Sequence, residues 1–73
     1  MRFKQGDKVR IEIEISGPIW EVIECINYDE IKTASSEDKL LRRITPRYKC
    51  KCIDHYGKEI INNILETSLK PSE

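Results

Sequence analysis

The side chains with the most chemistry in this sequence are three cysteines, Cys25, Cys50 and Cys52, and a single histidine, His55. Together they make a Cys3His set of the kind that zinc accepts in tetrahedral geometry. The spacing argues the other way. Structural zinc usually draws its cysteine pairs from Cys-x2-Cys knuckles at turns, whereas Cys50-x-Cys52 on an extended segment puts both thiols on one flat face. Free cysteine is also among the most buried residue types and serves as a small apolar filler. Buried thiols are therefore the expectation, with no metal or cofactor required. An odd number of cysteines is no disulfide framework, and it suits free thiols in a reducing, cytoplasmic compartment.

Nucleophilic catalysis needs a thiol or hydroxyl beside a base that a third group orients. Cys50 or Cys52 with His55 and Asp54 is arithmetically such a set, but residues this close on an extended segment point to different sides. A chain of 73 residues also offers little pocket from which to exclude water. Glu12, Glu14, Glu21 and Glu24 alternate with apolar neighbours as a solvated sheet face does, and do not read as a paired acid and base. The expectation is a protein that binds and does not catalyse.

Binding chemistry is carried by charge and aromatic side chains. Formal net charge is zero, which removes the simplest argument for phosphate attraction. The distribution is less even: Lys39, Arg42, Arg43, Arg47, Lys49 and Lys51 form a basic segment without an acid, set against an acidic remainder. With tyrosines nearby to stack on bases, those six residues are the candidate nucleic-acid surface. The leading reading is instead a protein interface on the middle connection, with Leu40, Leu41, Arg42 and Arg43 as anchors and Tyr28 and Tyr56 as exposed aromatics. Trp20 and Tyr48 are expected in the core. A third reading, an inhibitor of a host protein encoded by a mobile element, suits a tiny neutral domain, but no residue selects it.

The elements that position these residues follow from periodicity. Val9, Ile11, Ile13 and Ile15 alternate with charged residues over Lys8 to Ile15 and predict a strand of β-branched side chains. Ser16-Gly17-Pro18 turns the chain into a second strand over Ile19 to Tyr28. Its alternation slips, which a bulge or strong bend near Ile23 reconciles. Residues 29–46 are the largest connection. There Ser35 or Ser36 can cap a short helix through Glu37 to Arg43, acids first and bases last, or Leu40, Leu41 and Ile44 can continue an extended hairpin. Arg47 to Asp54 is a third strand with Tyr48, Cys50 and Cys52 facing in. Asp54 to Gly57 turns, Lys58 to Leu65 is a fourth strand, and a very short last strand brings Leu69 inward.

Four or five short antiparallel strands in one 73-residue domain are what a small barrel looks like in sequence. Phe3-Lys4-Gln5-Gly6-Asp7-Lys8-Val9, Ser16-Gly17-Pro18-Ile19-Trp20-Glu21-Val22 and Tyr48-Lys49-Cys50-Lys51-Cys52-Ile53-Asp54 resemble the YodC-like family of small uncharacterised bacterial proteins. That family shows a Gly-Asp-x-Val start, a Ser-Gly-Gly-Pro-x-Met-x-Val turn and a Cys-x-Trp-Phe strand. This chain departs from it at Trp20 and Cys52, in the apolar run before Ser16 and in its longer middle connection. A looser likeness to the KOW segment of ribosomal and transcription proteins runs through Gly6-Asp7-x-Val9 and Gly17-x-x-Trp20-x-Val22. The resemblance implies an SH3-like barrel and transfers no catalytic residue. No apolar run is long enough for a membrane helix, so the expected partner is another protein, with oligomeric state left open. A core this small rarely supplies more than about 3–5 kcal/mol alone.

Overall fold

A computed structural model describes residues 2–42 and 44–72, without the side chain of Arg42. Its elements run β1 (Lys8–Ile11), β2 (Trp20–Cys25), α1 (Tyr28–Thr33), α2 (Ser36–Arg42), β3 (Arg47–Ile53), β4 (Glu59–Leu65), a 3₁₀ turn (Glu66–Ser68) and β5 (Leu69–Pro71). The five strands form one sheet in the order β4-β3-β2-β1-β5, and every neighbouring pair is antiparallel. The protein is mainly β. Its sheet is open, with β4 and β5 at opposite edges.

The core is a single cluster of Phe3, Val9, Trp20, Val22, Tyr48, Cys50, Cys52 and Leu69, with Ile11, Cys25 and Ile64 packed against it. Strand β3 supplies three of these residues at period two, so its alternation against Arg47, Lys49 and Lys51 is a true inside-outside pattern. Tyr48 is the central pin. Its ring meets Phe3 edge-on at 5.6 Å. Its hydroxyl donates to Glu66 Oε2 at 2.5 Å and accepts the Phe3 N–H at 3.3 Å, tying the N-terminal segment to the 3₁₀ turn. The Trp20 indole N–H is buried without a hydrogen-bond partner among the described residues.

Strand β2 carries the expected irregularity. Val22 lies opposite Cys50 and Glu24 opposite Lys49, so Ile23 is the extra residue of a β-bulge. The bulge sends Val22 and Cys25 to the core side while Glu21 and Glu24 both share the outer face with lysines.

Two expectations fail here. The first strand does not run to Ile15: it stops at Ile11, and residues 12–17 form two turns closed by Glu14 N–H to the Ile11 carbonyl and Gly17 N–H to the Glu14 carbonyl, each at 3.0 Å. Ile13 and Ile15 are 89% and 88% exposed. Alternation supplies a preference for extended backbone but no ladder partner, and β2 opposes β1 only through Lys8 and Val9. The second strand does not reach Tyr28, which begins α1 instead. The middle connection thus holds two short helices where one helix or an extended hairpin was expected.

Candidate protein-binding surface

The β2–β3 connection leaves the sheet as an arm built from α1 and α2. Asn27 fastens its root: its Nδ2 donates to the Thr45 carbonyl at 2.9 Å and its Oδ1 accepts the Arg47 N–H at 2.9 Å. The Cys25 thiol reaches the same Oδ1 at 3.5 Å. The two strands leaving the arm are joined beside it by the Ile26 N–H to the Arg47 carbonyl. Beyond this clamp, α1 starts with Ile31 N–H to the Asn27 carbonyl and is finished by Thr33 Oγ1 donating to the Asp29 carbonyl. Helix α2 is capped by Ser35, whose Oγ accepts the Asp38 N–H at 3.1 Å, with Glu37 and Asp38 in the first turn where the helix dipole favours acids. Ser35 is thus one of the two caps that the sequence offered.

Neither helix buries a described side chain. Leu40 and Leu41 are 79% and 71% exposed. The Cα radius of gyration, 13.3 Å, exceeds the value of about 11 Å for a compact chain of this length, and the molecule extends over 44 × 21 × 18 Å. A side chain that finds no core within its own molecule leaves apolar surface for another.

Tyr28 connects the arm to the body. It is 46% exposed, carries Lys32 Nζ over its ring at 5.8 Å, and lines a shallow groove with Phe3, Gln5, Ile23, Cys25 and Tyr48. Leu40, Leu41 and Tyr28 therefore belong to one projecting segment and its root. Tyr56 does not join them. It lies in the β3–β4 turn at the far end of β3 from the arm, 85% exposed, with its ring 4.1 Å from that of His55. Asp54 shapes that turn by accepting the N–H groups of Tyr56 and Lys58 on Oδ1, and Gly57 takes the positive φ of +81° that the reversal needs. Arg43 and the Arg42 side chain lie outside the described residues.

The thiols are where the strand pattern puts them. Cys50 and Cys52 face the core, and Cys25, opposite Tyr48, packs against it. No group of three or more potential ligands is assembled for a metal among the described residues; His55 sits on the exposed turn, so the set Cys25, Cys50, Cys52 and His55 is not brought together. Burial pushes the Cys50 thiol up to about 11. Cys52 is raised as well, first by burial and then by the charges of Asp54 and Glu14. Both shifts run opposite to the lowering that activates a nucleophilic thiol.

The basic segment is partly neutralised by its neighbours. Glu21 receives Lys8 Nζ at 2.5 Å and Lys51 Nζ at 3.7 Å, and the hydrogen bond and charge of Lys8, with Lys51 behind them, hold its carboxyl below the usual range. Lys49 stands opposite Glu24. The outer sheet face is thus a mixed ladder of charge, with Arg47 at one end of β3 and Lys39 away on α2. Sequence reasoning missed Asn27 and α1. The Asn27-x-x-Glu30 spacing has the form of a helix start, but Asn27 makes no side-chain cap, and nothing local marks its bonds to Thr45 and Arg47.

No family model, no curated protein and no solved structure matches the chain. Its functional reading rests on its own residues.

Proposed function

We propose that this chain is a small non-enzymatic module that recognises another protein through the α1–α2 arm, carried on an SH3-like scaffold of the YodC-like kind. The observation that supports the reading is the exposure of Leu40 and Leu41 on a helix with no buried described side chain. Fully burying a leucine is worth about 1.5–3 kcal/mol, so a partner that covers both gains a compact apolar anchor. The groove at Tyr28 extends the contact to the arm's root.

The SH3-like reading is supported by connectivity. Four strands follow one another in a meander, and a 3₁₀ turn then swings β5 across to the free side of β1. The buried, raised Cys50 thiol and the lone exposed histidine support a binding role over catalysis. A protein partner is favoured over nucleic acid because Glu21, shared by Lys8 and Lys51, and Glu24, opposite Lys49, set carboxylates among the cations of the outer face.

The test is affinity isolation from the native host with the parent chain and with the double variant Leu40→Ala, Leu41→Ala. A protein retained by the parent and lost from the variant, with both showing the same circular dichroism, is the expected result. Identical partner sets, or low-salt binding of oligonucleotides with no protein partner, would overturn it.

A further inference from the structure

We propose that β4 is the surface through which two copies of the chain pair, edge to edge and antiparallel, about a two-fold axis at Asn62, extending each five-stranded sheet into one shared by both copies. The first ground is an unguarded edge. β4 is seven residues long, pairs on one side only, and carries no proline or lysine between Glu59 and Leu65. Edge strands in monomeric proteins are commonly shortened, charged, bulged or covered to prevent pairing. Here Ile60, Ile61 and Leu65 are all exposed.

Backbone parity fixes which groups face outward. Asp54 N–H to the Lys58 carbonyl and Glu66 N–H to the Pro46 carbonyl belong to the register that pairs Tyr48 with Ile64 and Cys50 with Asn62. Even-numbered residues of β4 therefore exchange hydrogen bonds with β3. Glu59, Ile61, Asn63 and Leu65 aim their N–H and C=O groups at the open edge. An incoming antiparallel strand must satisfy these odd-numbered residues with outward-facing groups of its own.

A second copy does so in a register that matches the side chains of the inner face, while the outer face sets Glu59 across from Leu65. With the axis at Asn62, Ile61 exchanges bonds with Asn63 of the other copy, and Glu59 with Leu65. On the inner face Ile60 meets Ile64, Asn62 meets Asn62, and Lys58 comes opposite Glu66 at both ends. Sliding by two residues in one direction sets Ile60 against Glu66, and in the other sets Lys58 against Ile64. Odd slides leave outward groups facing inward ones. The charge pairing at the ends and the Ile-Asn-Ile palindrome between them select a copy of this chain over an unrelated peptide.

Sedimentation velocity on the full chain across a concentration series tests this. The expected species has twice the single-chain mass of 8.6 kDa. Asn63→Pro removes an outward donor without touching the β3 ladder, and Ile61→Lys places a charge on the edge where the side chain is already exposed. Each is expected to weaken dimerisation by about tenfold or more, the ratio that 1.4 kcal/mol represents. In a Cys50→Val background, which removes the thiol opposite position 62 in the same chain, Asn62→Cys should give a disulfide-linked dimer on mild oxidation, because a non-hydrogen-bonded pair sets Cα atoms about 4.5 Å apart, within disulfide reach. Asn63→Cys and the parent should not. A monomer at every concentration, a dimer indifferent to both edge variants, or cross-linking through position 63 in place of 62 would each overturn the proposal.

Discussion

Tyr48 and Cys50 show how two residues of one strand couple the core to proton chemistry. Burial, and then the hydrogen bond to Glu66, push the Tyr48 hydroxyl up to about 12, and burial alone pushes the Cys50 thiol up to about 11. Each group gives up its proton more readily in the unfolded chain, where thiols and phenols titrate near about 8.5 and 10. As pH rises past the unfolded values, the unfolded state holds fewer protons than the folded one, so stability falls. The contribution is fully present below the unfolded pKa values and is lost as pH climbs through the folded ones. Urea unfolding measured from pH 8 upward should show a declining free energy, with a shallower decline in Cys50→Val. A profile flat to pH 11 in the parent would contradict the burial of these groups.

At the scale of elements, the sequence was informative wherever a local pattern and a ladder partner agreed. Arg47 to Ile53 alternates and has neighbours on both sides, so its inward residues were readable in advance. The bulge at Ile23 was readable because two apolar phases collide there, whereas the acids after Ser35 and Ser36 marked a helix start without choosing between the two caps. The overrun at Ile13 and Ile15 shows the limit, since the same alternation without an opposing strand leaves isoleucines in water. α1 was hidden because Asn27 makes no side-chain cap. Its amide instead bridges Thr45 and Arg47, residues 18 and 20 positions away, contacts that no local window contains. Asn27→Ala removes both bonds and should cost about 1–3 kcal/mol at 0.5–1.5 kcal/mol each. Amide exchange should quicken across residues 28–46 while β3 stays protected; unchanged exchange in the arm would show that its root is held by something other than Asn27.

The whole molecule divides its surfaces between two tasks. The sheet carries the core, its outer face sets Glu21 and Glu24 among Lys8, Lys49 and Lys51, and its β4 edge lies open. The arm takes residues that the core has no room for and projects them from the end of the β2–β3 pair remote from Tyr56. Leu40 and Leu41 lie together on this arm, whereas Tyr28 and Tyr56 separate because β3 runs the length of the sheet between them. Strand order and arm exposure are tertiary outcomes, and the sequence therefore offers candidate residues without their placement. The most direct measurement is photo-cross-linking in living cells of the native host, with a photoreactive amino acid installed at position 41 and, separately, at position 56. The arm reading predicts a discrete protein adduct from position 41 and none from position 56; equal adducts from both positions, or adducts to nucleic acid alone, would contradict it.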